Sequence, residues 1–146
     1  MDNRINVFID TNILIDYLAR RKTFFEAAAL IIQLGKKKKC NLQVSSLSFA
    51  TASFIMQAHY KMRHDDIVKR FTNFVKLCNV TTVDSQTIDE SLSSLFDDFE
   101  DAMQYFSATR EGADVIITRN KTDFNASQLP IYEPQEFLDV LLSGHQ

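Results

Sequence analysis

The sequence predicts an α/β protein, a single domain over residues 1–146 with a central, mostly parallel sheet flanked by helices in three layers. Three observations predict it. Two short runs, Ile5–Ile9 and Asp114–Thr118, are apolar at most positions, as strands buried on both faces are. Segments of helical period alternate with strand-like runs along the chain. Glycine and proline number only 3 and 2, too few for the turns of a sandwich.

Each element has a local reason. Ile5–Ile9 reads as a central strand. Thr11 or Asn12 supplies a side-chain oxygen to cap a helix carrying Ile13, Leu14, Tyr17 and Leu18. Thr23 is the cap candidate for a second helix, Phe24–Leu34, with Phe24, Ala27, Ala28, Ile31 and Leu34 on one face. Leu42–Val44 is a short strand, and Ser45-Ser46 turns the chain into a helix over Leu47–Tyr60. Asp65 or Asp66 opens the next helix, with Ile67, Phe71, Phe74, Val75 and Cys78 inward. Val80–Val83 is a β-branched strand. Asp84-Ser85 then opens a helix carrying Ile88, Leu92 and Leu95. Asp98–Arg110 follows, with Phe99, Ala102, Met103 and Phe106 as its apolar face and Gly112 as its C-cap. Beyond Asp114–Thr118 and the loop Arg119–Gln128, Leu129–Tyr132 is a short edge strand. Pro134 suits the first turn of a last helix that buries Phe137, Leu138 and Leu141. Phe49, Phe54, Phe71, Phe74 and Phe106 fall at helical spacing and read as core.

Composition bounds the class. The chain is 45% hydrophobic and 24% charged, which is ordinary for a soluble domain that needs no disulfide. Cys40 and Cys78 lack metal-site spacing and read as reduced structural residues, which suits a cytoplasmic location. No signal segment is expected, because the first apolar stretch is short and holds Asp10 and Asp16. No apolar run is long enough to span a bilayer, so no membrane partner is expected. His59, His64 and His145 lack partners at metal spacing and read as surface residues. The net charge of −3 excludes a bulk field that attracts nucleic acid. Positive charge is local instead, in Arg20-Arg21-Lys22 and Lys36-Lys37-Lys38-Lys39.

Asp10 carries the most information about function. It ends a buried strand and precedes Thr11-Asn12 and a helix, the edge at which open parallel sheets bind ligands. The second apolar strand ends in the same way, on Thr118-Arg119-Asn120 and then Asp123-Phe124. If the two strands are neighbours, both clusters share one rim. The helix before the second strand opens with Asp98, Glu100 and Asp101, and Asp98 and Asp101 share a face. Carboxylates converging there suit Mg²⁺ or Mn²⁺, which take a few carboxylate oxygens plus water. Against this, Asp10 alone reads equally well as a helix cap, and Asp97, Asp98 and Glu100 as complements to a helix dipole.

These residues resemble the PIN-domain nucleases, the toxin half of VapBC-type toxin–antitoxin pairs. The likeness lies in Asp10-Thr11-Asn12-Ile13-Leu14, Glu100-Asp101-Ala102, Thr118–Phe124 and the tail Tyr132–Leu138. It implies a PIN-like fold and Mg²⁺- or Mn²⁺-dependent hydrolysis of RNA. Asp10, Asp101 and Asp123 would be the catalytic and metal-holding acids. Thr11, Asn12, Asp98, Glu100, Thr118 and Asn120 would support them, while Arg119, Lys121 and Lys36–Lys39 would contact the RNA backbone. It further implies an antitoxin partner and a homodimer. One departure stands out: the family's glutamate early in the helix after the second strand is matched by Thr51, which supplies no charge. The alternative is therefore a weak or silent PIN-like module that binds RNA or protein. A phosphatase with an Asp nucleophile is disfavoured by Asn12, which stands where that chemistry needs a second Asp. Nucleotide-cofactor enzymes are disfavoured because no glycine-rich turn follows the first strand.

Overall fold

A computed structural model describes residues 3–143. His145 lies outside the described residues. The strands are β1 (Asn6–Ile9), β2 (Asn41–Ser45), β3 (Cys78–Thr81), β4 (Val115–Ile117) and β5 (Ile131–Tyr132). They form one parallel sheet in the order β3-β2-β1-β4-β5. The helices are α1 (Thr11–Leu18), α2 (Phe25–Lys36), α3 (Ser46–Ala58), α4 (His64–Phe74), α5 (Ser85–Leu92), α6 (Phe99–Arg110) and α7 (Pro134–Ser143). Short 3₁₀ turns cover Val75–Leu77 and Lys121–Phe124.

The sheet is covered on both faces, which explains why its central strands carry so little polarity. Val7 and Ile9 point one way, with Val44, Val115 and Ile117, into a large core shared with α1–α4 and α7. Phe8 and Ile116 point the other way, against Tyr105 and Ala108 of α6 and against Phe124. These residues are all buried. No helix of the described residues is long and apolar enough to cross a membrane.

Several expectations need correction. Thr23 does not cap α2: it has a left-handed φ of 78°, and Phe24 occupies the N-cap with no side-chain bond. The strand expected at Val80–Val83 forms at Cys78–Thr81 instead. Parallel pairing with β2 sets Leu42 beside Cys78, and the 3₁₀ turn ends the preceding helix early. Val75 is therefore exposed rather than inward. Phe54, Ile88, Leu92, Leu95 and Phe99 are exposed too. Phe49 and Phe71 pack edge to face, 5.1 Å apart, and Phe74 is buried, as their spacing predicts.

Three helix ends are strained, that of α3 at Lys61 (φ 53°) among them. After α1 and α2 the chain closes with backbone bonds Arg21 N–Asp16 O (3.1 Å) and Lys39 N–Leu34 O (2.9 Å). Such closures need a left-handed residue, usually glycine. Arg20 (φ 51°) and Lys38 (φ 58°) take those places, at a cost of about 1–2 kcal/mol each. Glycine is required elsewhere. At Gly35 in α2 a Cβ would come within 2.4 Å of Leu42 Cδ1 and 2.6 Å of its Cγ. Gly35→Val should therefore cost roughly 2 kcal/mol through overpacking, read as a lower denaturant midpoint with unchanged slope.

Candidate active site

β1 and β4 are hydrogen-bonded neighbours, and the chain departs from their junction in both directions: β2 and β3 lie on one side, β5 on the other. Where strand order reverses in this way, a crevice opens outside the carboxyl ends of the strands. Asp10 follows β1 and Thr118 follows β4, and their side chains meet there, with Thr118 Oγ1 donating to Asp10 Oδ2 at 2.8 Å.

Asp10 is only 6% exposed, and its carboxylate is held by donors from three segments. Oδ1 accepts from Thr11 N (2.8 Å), as a helix cap does, and from Gln104 Nε2 of α6 (3.1 Å). Oδ2 accepts from Thr118 Oγ1 and, at 3.3 Å, from Asn12 Nδ2. The cap reading of Asp10 is thus correct as far as it goes, but one cap bond leaves the other oxygen to the second strand. Burial raises the Asp10 pKa, the bonds from Gln104, Thr118 and Thr11 oppose that rise, and the charge of Asp123 adds to it.

Gln104 is a residue that the sequence pattern did not single out. It is 1% exposed, and its amide nitrogen also donates to Thr11 Oγ1 (3.1 Å) and Ser48 Oγ (2.8 Å), while its oxygen accepts from Ser45 Oγ. Ser48 in turn touches Thr11, 2.7 Å between hydroxyls. One amide therefore ties α6 to α1, to the end of β2 and to the start of α3. The inward face of α6 is Ala102, Gln104, Tyr105, Ser107 and Ala108, not the face built on Phe99, Met103 and Phe106. A signal was present: Asp101, Gln104 and Ser107 recur every three residues, a polar stripe beside two alanines.

Asp101 lies one turn before Gln104 on that stripe. Burial, then repulsion from Asp10, Asp98, Asp123 and Glu100, pushes its pKa up to about 7. Glu100 is raised by burial, Asp10 and Asp98. Four carboxylates besides Asp101 therefore act on one spot, from three segments of the chain. Asp98 also works as the N-cap of α6, accepting from Asp101 N at 3.0 Å. Asp123 stands exposed in its 3₁₀ turn, and Asn120 precedes it with its backbone N bonded to Thr118 Oγ1 (3.0 Å). Thr51 lies one turn beyond Ser48 in α3, half-buried, and α3 adds no carboxylate to the group.

The nearby cations do not neutralise this group. Asp16 of α1, 1% exposed, takes Arg21 Nε at 2.6 Å and Arg119 Nε at 2.7 Å. The Arg119 guanidinium also lies 3.8 Å from the Phe24 ring centre. Arg119, expected to meet RNA, clamps β4's end to α1 through Asp16. Lys121 pairs with Glu136 at 3.0 Å. Lys36–Lys39 precede β2, whose first residue Asn41 pairs with Asn6 at the start of β1, so they stand at the opposite rim of the sheet from Asp10.

The donor set suits a hard divalent ion. Among the described residues no three of His, Cys, Asp and Glu are gathered closely enough to enclose one. Mg²⁺ ordinarily takes one or two carboxylates and keeps several waters, so a site that suits it need not enclose it with three protein ligands. An acidic pocket whose own cations are committed elsewhere is the chemistry such an ion compensates.

The PIN domain family matches residues 6–122, and the chain belongs to that family. It is 22% identical over 139 residues to Ribonuclease VapC1 of Aquifex aeolicus, covering 94% of this chain and 96% of that protein. Solved structures share the fold. Mycobacterium tuberculosis VapC20, described as a sarcin-ricin loop cleaving toxin, superposes with a TM-score of 0.63 at 12% identity, covering 85% of this chain and 98% of that one. VapBC2 from Rickettsia felis, solved on a promoter DNA fragment, gives 0.62 at 15% identity, covering 88% and 98%.

The raised Asp101 pKa has a consequence for stability. The unfolded carboxyl releases its proton near 3.8 and the folded one near 7, so the native state holds more protons between those values. Stability from this group is greatest below pH 4 and falls as pH rises to 7. Asp101→Asn should therefore melt at a higher temperature than wild type at pH 8 in metal-free buffer, with the gap closing toward pH 4, as thermal unfolding across pH will show.

Proposed function

We propose that this chain is an endoribonuclease dependent on Mg²⁺ or Mn²⁺ and the toxin of a toxin–antitoxin pair. What supports this reading is that Asp10, at the switch point of the sheet, and Asp123, from a distant segment, both act electrostatically on Asp101. The ribonuclease and toxin–antitoxin relatives support it. The partners are then an RNA substrate, an antitoxin protein and a second copy of the chain. Two unpaired thiols suit work in the cytoplasm.

Asp10 and Asp101 would hold the ion, and Asp123 would orient a water at the open side. A divalent ion bound there supplies an acidified water and charge stabilisation on the phosphoryl oxygens. The chain's own contribution is positional. Thr118, Asn12, Thr11 and Gln104 fix the Asp10 oxygens before any ligand arrives. Asn120, whose backbone N bonds Thr118 on the chain's way to Asp123, would meet a phosphate as the strand enters, whereas Lys121 is held by Glu136.

The test is cleavage of RNA with Mn²⁺ or Mg²⁺. Asp10→Asn and Asp101→Asn should each lose activity by about 100-fold or more, in line with loss of a metal-organising group. Cleavage at the wild-type rate by both variants would sink the proposal.

The absent carboxylate on α3 favours a second reading, a silent PIN-like module that binds RNA or protein. Thr51→Glu separates the two. Under the nuclease reading wild type already cleaves and the variant changes the rate modestly. Under the silent reading wild type is inert, and the variant gains both divalent-ion affinity by calorimetry and cleavage.

A further inference from the structure

Two adjoining cavities lie away from the carboxylate pocket and share Lys36 and Leu77. The larger, about 400 Å³, is bounded by α1, α2 and α4, with Tyr17, Phe25 and Phe74 beside Arg20, Lys36 and Arg70. The smaller, about 240 Å³, opens at the amino ends of β1, β2 and β3, with Arg4, Lys36, Lys38 and Lys76 around it. Six cations thus line one continuous groove, and among the described residues no Asp or Glu lines it. The chain has 19 acids and 16 Lys and Arg, so this is a local segregation of charge and not general basicity.

Three of these cations are also available. The ammonium groups of Lys36, Lys38 and Lys76 make no hydrogen bond or ion pair among the described residues. Arg70 uses one nitrogen on the Leu18 carbonyl at 2.6 Å, which fixes the side chain without neutralising it. Arg20 lies 5.4 Å from the centre of the Phe25 ring. Arg20 and Lys38 are moreover the two left-handed residues that close α1 and α2. Glycine would suit both backbone positions better, and each carries a cation that lines the groove.

The arrangement selects the ligand. A single phosphate engages two or three donors at one point. Cations strung over two adjoining cavities, with aromatic and apolar side chains beside them, match successive phosphates and bases of a single strand. We infer that this groove binds the phosphodiester backbone of RNA, at a site separate from the carboxylate pocket on the other rim. The strand is taken as RNA on the strength of the proposed ribonuclease activity. The division has an electrostatic reason. Without a divalent ion the acidic pocket repels a polyanion, whereas the groove attracts it at all times.

The test measures binding of labelled single-stranded RNA by fluorescence anisotropy, in EDTA and across a salt series. It compares wild type with Lys36→Gln/Lys38→Gly/Lys76→Gln. Removing three phosphate contacts should weaken binding by about 10-fold at low salt and flatten the slope of log K against log salt by about 2, since each contact on a single strand contributes about 0.7. Lys38→Gly alone should raise the melting temperature while weakening RNA binding, which separates loss of charge from loss of fold. Unchanged affinity and slope in the triple variant would overturn the groove. So would displacement of the RNA by polyglutamate as readily as by unlabelled RNA, which points to an acidic protein instead. Groove-dependent binding by a wild-type protein that cleaves nothing would leave the groove standing and remove the nuclease reading. Cleavage together with unchanged binding in the triple variant does the reverse.

Discussion

The carboxylate of Asp10 is buried at the end of the central strand, and a buried charge is costly unless hydrogen bonds hold it. Much of the local architecture answers that requirement. The start of α1 supplies a backbone N–H and Asn12, the end of β4 supplies Thr118, and α6 supplies Gln104. Each donor comes from an element that packs beside β1. The charge can be kept only if the strand order places β4 next to β1 and α6 lies over their edge. The site and the topology are thus one constraint: an altered strand order would leave the buried acid with only the donors of its own segment, Thr11 and Asn12.

The same constraint governs the rest of the charge. Asp10, Asp98, Asp123 and Glu100 all act on Asp101 and raise its proton affinity, and Asp10 and Asp98 do the same to Glu100. Arg21 and Arg119, far apart in the chain, are both held by buried Asp16, which staples the α1–α2 turn to the end of β4. That pair is structural, and it leaves the acidic pocket negative. Lys36, Lys38 and Lys76 stand instead at the amino ends of the strands. The sheet thereby separates a rim that suits a divalent ion from one that suits a polyanion.

How far the sequence could be read depended on where specificity comes from. The two central strands were legible because burial on both faces demands apolar runs. Asp10, Thr118 and Asp123 were legible because a polar side chain that closes or follows such a run needs a partner or a ligand to hold it, whereas Asp101 was legible only through the resemblance to the PIN family. Gln104 was not, since a lone glutamine within a helix is usually solvated and only the packing of α6 turns it inward. The face of α6 was misjudged for the same reason: Phe99 is exposed, and small residues occupy the contact with the sheet. Register slipped at β3, where Cys78 joins the strand because its pairing partner is Leu42, a fact absent from local propensity.

By itself the sequence determined the layered α/β class, the order of helices and strands, and the acids that could do chemistry, because periodicity and the scarcity of polar residues in buried strands are local properties. The tertiary structure decided which charges meet. It brought Asp10, Thr118 and Gln104 together, set Arg119 on Asp16, and sent the lysine run to the far rim. Those pairings follow from strand order and helix rotation, which depend on packing across the whole chain and on no single stretch of it.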